Sequence, residues 1–187
     1  MKQALAMKII TTFCFLMSLA IGCLAQLPKT EIYLFDIKES ITGYTIDNPK
    51  KITVGNNYNN QPHFSRDGRY LYFVSNGKKA GKTDIYRYDI LKKRTKRLTK
   101  TKNQSEYSPK ISPDQKRLTC VRVPQDSTIQ NLYAYNLKGK KGKVLFPDNT
   151  TFGYYTWLTQ IDILSFHVPE PFTLMRHQSI RKIHDTI

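Results

Sequence analysis

Ser65-Arg66-Asp67-Gly68-Arg69-Tyr70-Leu71-Tyr72-Phe73-Val74 is answered later in the chain by Ser112-Pro113-Asp114-Gln115-Lys116-Arg117-Leu118-Thr119-Cys120-Val121, and the two stretches lie 47 residues apart. Working outward from them, Pro62 falls on Pro109, Tyr86 on Tyr133 and Leu98 on Leu145 with the same offset of 47. A fixed period of this size marks stacked supersecondary units. In each copy a Ser or Asp side chain can accept backbone N–H bonds inside a tight turn. Gly68 supplies a positive φ in the first turn, and Pro113 takes the second position of the other. Both read as type I hairpin turns. Gln115, standing where the first copy has glycine, is expected to carry about 1 kcal/mol of strain in the left-handed conformation.

After the first turn, Arg69 to Val74 is apolar at nearly every position, as a strand covered on both faces must be. The next segments, Asp84-Ile85-Tyr86-Arg87-Tyr88-Asp89 and Asn131-Leu132-Tyr133-Ala134-Tyr135-Asn136, alternate and read as half-exposed strands. Each copy therefore holds four short strands in fewer than 50 residues, which is one propeller blade. The fold class is all-β: a partial β-propeller of four-stranded antiparallel blades with a 47-residue repeat, with complete blades at 59–101 and 106–148. Upstream, Glu31 to Ile37 resembles the second half of a blade, with Pro49-Lys50-Lys51 as its last turn and Ile52-Thr53 in its outer strand. Downstream, Tyr155 to Leu158 and Ile161 to Phe166 form a further strand pair, in which Leu164 falls 46 residues after Leu118. The stretch after Thr173, with Arg176, His177, Arg181, Lys182 and His184, fits a blade poorly.

The N-terminus reads as a targeting segment. Ile9 to Gly22 is almost wholly apolar, follows Lys2 and Lys8, and leads into Cys23-Leu24-Ala25, so residues 1–25 are expected to be a secretory signal peptide cleaved after Ala25. The alternative is a lipoprotein signal in which Ala20-Ile21-Gly22-Cys23 is the lipobox and Cys23 the lipid anchor. The 187-residue chain has 30 Lys+Arg against 14 Asp+Glu, a net charge of +16, and 12 Tyr with 9 Phe. Removing residues 1–25 takes away two lysines and no acid, so residues 26–187 keep a net +14 and the basic excess belongs to the folded part. Export argues against nucleic acid as the partner and in favour of anionic glycans, lipid headgroups or an acidic protein surface. Beyond the signal only Cys120 remains, in an apolar run that marks it as an inert core thiol. No membrane-spanning segment is expected after cleavage.

Pro62-His63-Phe64-Ser65-Arg66-Asp67-Gly68, then Thr83-Asp84-Ile85-Tyr86-Arg87-Tyr88-Asp89, then Arg97-Leu98-Thr99, resembles the TolB-like (WD-like) propeller repeat of exported bacterial proteins, over essentially all of residues 30–175. The resemblance implies a binding scaffold of the periplasm or cell envelope. Such repeats also occur in the propellers of prolyl-oligopeptidase-type peptidases, so the fold by itself leaves function open. Stand-alone members run on for several more blades. Propellers have about 4 to 8 blades, whereas residues 26–187 hold about 3 to 4 repeats of 47. The chain is therefore read as the N-terminal part of a larger, truncated ring, the alternative being a half-ring that self-associates through its open edges.

The basic runs Lys92-Lys93-Arg94-Thr95-Lys96-Arg97 and Lys138-Gly139-Lys140-Lys141-Gly142-Lys143 occupy the same turn of successive repeats, with Lys50-Lys51 at the corresponding place upstream. Such turns lie on one side of a ring. Lys93, Arg94, Lys96, Lys140, Lys141 and Lys143 are the candidate contacts to an anion or partner, against the plain alternative that lysines keep hairpin turns soluble and unpaired. Gly77 to Thr83 is one residue short of a phosphate-binding loop and leads into a strand where that loop needs a helix, so it reads as a solvated hairpin loop. No Gly-x-Ser-x-Gly elbow, no His-Glu-x-x-His and no closely spaced His/Cys ligands occur. His63 reads as a packed or surface residue. The chain is expected to be non-enzymatic, without cofactor or metal, and to act as a protein-binding module. The alternatives are the propeller fragment of a prolyl-oligopeptidase-like serine peptidase and a propeller that binds acidic polysaccharide.

Overall fold

The computed structural model describes residues 27–77, 81–124, 129–178 and 183–186. The expected signal peptide, Cys23, and residues Arg181 and Lys182 lie outside them. Fourteen strands occur in chain order: β1 (Tyr33–Ser40), β2 (Gly43–Lys51), β3 (Asn59–Phe64), β4 (Tyr70–Ser75), β5 (Asp84–Asp89), β6 (Arg94–Arg97), β7 (Gln104–Ile111), β8 (Arg117–Pro124), β9 (Asn131–Asn136), β10 (Lys143–Val144), β11 (Phe152–Trp157), β12 (Asp162–His167), β13 (Thr173–Gln178) and β14 (Ile183–Thr186). They form a two-stranded sheet, β1-β2, and three four-stranded antiparallel meanders, β3 to β6, β7 to β10 and β11 to β14, called here the half-blade and the first, second and third blades. No helix among the described residues is long and apolar enough to cross a membrane.

The turns that set the repeat are built alike. Ser65 O accepts from Gly68 N at 2.9 Å and Ser112 O from Gln115 N at 2.8 Å. The Ser65 hydroxyl accepts from Tyr70 N at 2.9 Å and that of Ser112 from Arg117 N at 3.0 Å. Gly68 has φ +68° and Gln115 φ +58°, so the left-handed position is where the sequence put it. Strand alternation then distributes the core. Leu71 and Phe73 face the half-blade with Ile32 and Ile52. Tyr72 faces the other way, joining Ile85 and Leu98 against Ile111, Leu118, Cys120 and Tyr135 of the second blade. Val121, Leu132 and Phe146 meet Phe152, Tyr155 and Ile163 of the third. The second strands of the first two blades, β4 and β8, bury residues on both faces, which is why β4 is apolar at nearly every position.

Blades are also clipped by repeated hydrogen bonds. Thr30 Oγ1 donates to Asn59 O at 2.7 Å and Thr83 Oγ1 to Glu106 O at 2.7 Å, tying the lead-in of one blade's third strand to the first strand of the next. The first strands are bulged, at matching places in the first two blades, Asn60/His63 and Tyr107/Lys110, and at Phe152/Tyr154 in the third. Gln61 and Ser108 take φ of 54° and 52° there, and Ser108 N donates to Gln61 Oε1 at 2.8 Å across the blades.

Three readings are corrected. The hairpin of the half-blade turns between Ser40 and Gly43, so Pro49, Lys50 and Lys51 lie within β2 and not in a turn. Their lysines face carboxylates of this sheet, Lys50 with Asp36 at 3.1 Å and Lys51 with Glu31. The turn before β12 is one residue tighter than its predecessors, closing Leu158 N on Asp162 O at 2.9 Å. Ile163, wholly buried, therefore takes the place of Leu118, and Leu164 is only half-buried. Finally, the chain after Thr173 is laid down as β13 and β14, which complete a third four-stranded sheet.

Candidate functional site

In a meander the turn between strands one and two and the turn between strands three and four lie at the same end of the sheet. Ile90 N donates to Arg69 O at 3.0 Å, which joins these two turns in the first blade. Lys93 and Arg94 belong to that end, as do Lys140, Lys141 and Lys143 in the second blade, and all five are exposed. The two basic turns stand at the same end of adjacent blades. Gly139, at φ +72°, sits so close to the first blade that a Cβ there would stand 2.6 Å from the Leu98 carbonyl oxygen. Lys50 and Lys51 are not part of this group.

Between the first and second blades, with Ser65, Arg66 and Asp67 of the first hairpin turn at its rim, opens a cleft of about 380 Å³. Its first-blade wall carries Tyr70, Tyr72 and Arg87, and its second-blade wall Ile111, Gln115 and Leu137. The Arg87 guanidinium lies 4.3 Å from the centre of the Tyr70 ring. Burial raises the pKa of the Tyr72 hydroxyl, against the opposing pull of the Arg87 guanidinium beside it. Strand register fixes the neighbours: Tyr72 is opposite His63 on one side and Arg87 on the other, and Arg87 is opposite Lys96. Directly opposed residues share a sheet face, so three basic side chains and a tyrosine form one row. Lys96 was marked by the sequence; Arg87 and Tyr72 were not, because nothing in a lone Arg within an alternating strand announces a cleft. Asp67 at the rim is already engaged, accepting from Ser65 Oγ at 2.6 Å and Arg69 N at 3.1 Å, and these bonds hold its pKa down.

Two buried polar clusters lie deeper. Between the first and second blades, Glu106 accepts from Tyr135 Oη at 2.7 Å and from Thr99 Oγ1. Burial raises its pKa despite those donors. Cys120 nearby is wholly buried, its thiol pushed up by burial and by Glu106, as an inert thiol should be. Between the second and third blades, Ser165 Oγ lies 2.7 Å from His167 Nε2 and 2.6 Å from His177 Nε2, and Thr151 Oγ1 is 2.8 Å from His167 Nδ1. Pairing of β12 with β13 brings together two histidines that lie ten residues apart in sequence, which spacing rules for metal ligands do not detect. Among the described residues no group of three or more His, Cys, Asp or Glu is placed to hold a metal ion. The histidine cluster is packed against Phe146 and Phe152, and Tyr135 of the Glu106 cluster shares a core with Tyr72 and Ile111 of the cleft.

Residues 24–125 match the dipeptidyl peptidase IV (DPP IV) N-terminal region. The chain belongs to that family. The match runs from before the half-blade through β8 and so covers both walls of the Arg87 cleft except the outer turn of the second blade. No match is found among curated proteins. Among solved structures, TolB from Acinetobacter baumannii shares the fold at 17% identity and TM-score 0.59, over 82% of this chain and 40% of that one. Oligogalacturonate lyase from Vibrio parahaemolyticus does so at 14% and 0.55, over 85% and 48%. A Mycobacterium tuberculosis puromycin-hydrolyzing peptidase follows at 14% and 0.54, over 75% and 22%. The dipeptidyl peptidase IV N-terminal region is thus represented here by an all-β propeller arrangement. This chain spans less than half the length of each of those structures.

Proposed function

We propose that this propeller is a non-enzymatic binding module that is exported to the periplasm or cell envelope and holds a partner protein against its basic end. The observation that carries the reading is that the two basic runs form the turn between strands three and four in adjacent blades, which leaves Lys93, Arg94, Lys140 and Lys141 exposed at one end of the propeller. Export rests on the reading of residues 1–25, with Cys23 as the alternative anchor. Anionic glycan or lipid headgroups are the competing occupants of the same charges. The apolar groove of about 320 Å³ lined by Tyr33, Phe35, Ile37, Ile46 and Phe64 offers a separate surface for self-association. Photo-crosslinkers installed in cells at Lys93 and Lys141 are expected to give a discrete protein adduct that a crosslinker at Tyr44 does not. Absence of adducts from a folded, exported chain would sink the reading.

The family match favours a second reading, in which the chain is the propeller part of a prolyl-oligopeptidase-like serine peptidase. An activity-based serine-hydrolase probe separates the two: labelling of a hydrolase that co-purifies with this chain supports the second, and an unlabelled preparation that still crosslinks supports the first.

A further inference from the structure

The Arg87 cleft is not a generic gap between blades. At the next interface the same place is filled. Trp157 occupies the position of Ile111, its Nε1 donating to Thr119 Oγ1 at 3.2 Å, and Tyr155 donates to the same oxygen at 2.8 Å. Arg117, standing where the first blade has Tyr70, covers the Trp157 ring at 5.8 Å and has Asp114 at 3.9 Å. The position of Arg87 is taken by Ala134, buried opposite Lys143. The first interface thus departs from the next at three positions: Ile111 in place of Trp157 opens the space, Arg87 in place of Ala134 enters it, and Tyr70 in place of Arg117 backs it, while Lys96 opposite Arg87 is matched by Lys143.

Like charges directly opposed on adjacent strands are destabilising. Among the described residues no carboxylate lies within ion-pair distance of either Arg87 or Lys96. The guanidinium has the Tyr72 hydroxyl beside it and the Tyr70 face, which leaves most of its five N–H donors for a ligand. We propose that this cleft binds a carboxylate presented on a peptide, an acidic side chain of a partner protein whose apolar neighbour packs on Ile111 and Leu137. Two features favour a peptide over a uronate sugar. Arg87 already covers the Tyr70 face on which a sugar ring would stack, and the facing wall is Ile111 and Leu137 with the Gln115 amide, whose NH2 is committed to Ser112 O and Pro113 O, where a sugar would need hydrogen-bond partners. The volume suits about two side chains. The inference rests on the binding-module reading and deepens it by naming the chemistry recognised.

The test uses the full chain and three probes: a short acetylated peptide of alternating leucine and glutamate, its glutamine counterpart, and polygalacturonate. The glutamate peptide is expected to bind and the glutamine peptide not to. Arg87→Met, which keeps the stem over Tyr70, should weaken binding about tenfold to a hundredfold. Arg87→Lys should recover only part of it, because the planar fork is lost. Ile111→Trp, copying the next interface, should block the site while the protein melts as a folded chain. Equal binding of the two peptides, binding indifferent to both Arg87→Met and Ile111→Trp, or Arg87-dependent binding of polygalacturonate alone would each overturn the proposal. Loss of the peptide site with crosslinks at Lys93 and Lys141 retained would refute the cleft and leave the binding module standing. Peptide binding without any cellular crosslink would do the reverse.

Discussion

Glu106 and Phe152 hold the same post in successive blades. Each is buried at the first strand of its blade, and each takes a backbone bond from the lead-in of the preceding blade's third strand, Glu106 N to Thr83 O at 3.1 Å and Phe152 N to Gln130 O at 3.0 Å. What surrounds them differs completely. Glu106 is held by the hydroxyls of Thr99 and Tyr135, whereas Phe152 is packed among Phe146, His167 and His177 with ring centroids 4.8 to 6.1 Å away. The repeat therefore fixes a backbone node and leaves its chemistry free, provided the node is filled and its polar atoms are paired. Phe152→Ala tests the filled half of that statement. It should cost about 3 to 5 kcal/mol by urea unfolding, because rings on three sides prevent collapse into the void. A loss under about 1 kcal/mol would mean the third blade is held elsewhere.

Glu106 tests the paired half. Glu106→Ala leaves two buried hydroxyls without their acceptor and should cost roughly 1 to 3 kcal/mol, less than the phenylalanine. The pH dependence has a definite sign. Burial raises the folded-state pKa of Glu106 above its ordinary value of 4.5, so its contribution to stability is fully present below that value and is lost as pH rises through the folded pKa. Unfolding curves of the wild type and Glu106→Gln, compared across that window, should show the wild type losing ground as pH rises. A difference that is flat, or that moves the other way, would show the carboxyl to be ionised at no cost in its site.

A smaller effect is expected where the two interfaces differ at the rim. Thr119 Oγ1 donates to Lys110 O at 3.1 Å while accepting from Tyr155 and Trp157, so all its capacity is used. Trp157→Ile should open a second cleft like that at Ile111, at a cost of about 1 to 2 kcal/mol from lost packing and one lost hydrogen bond. Binding of the glutamate peptide should not move to this new cleft, since Ala134 stands where Arg87 would and the Arg117 guanidinium there is answered by Asp114.

The sequence made the scaffold legible because a repeat repeats its turns. Ser65 and Ser112, Asp67 and Asp114, Leu71 and Leu118 are held to 47-residue spacing by hydrogen bonds local to each turn, and local bonds leave local signatures. The basic turns at Lys93 and Lys141 were legible for the same reason. Residues that act across blades left no such trace. Arg87 becomes notable only when Ile111 is found facing it, and His167 meets His177 only through strand pairing. Lys50-Lys51 misled because a charged pair beside Pro49 imitates a turn, while in the folded sheet its cations answer Asp36 and Glu31.

The finest comparison is between Gly68 and Gln115, two residues in one conformation. A non-glycine side chain at φ +58° costs about 1 kcal/mol, which argues that Gln115→Gly should stabilise the second turn. Two terms oppose it. The Gln115 amide donates to Ser112 O at 3.1 Å and to Pro113 O at 3.4 Å, and both contacts go with the side chain. Glycine also adds conformational freedom to the unfolded chain, worth about 0.4 to 1 kcal/mol. Net stability should therefore change by less than about 0.5 kcal/mol, whereas Gln115→Asn, which tolerates the left-handed region without that entropy, should be the better of the two. If Gln115→Gly raises the melting temperature more than Gln115→Asn does, backbone strain outweighs the side chain's own hydrogen bonds, and the second turn is the weaker copy of the first.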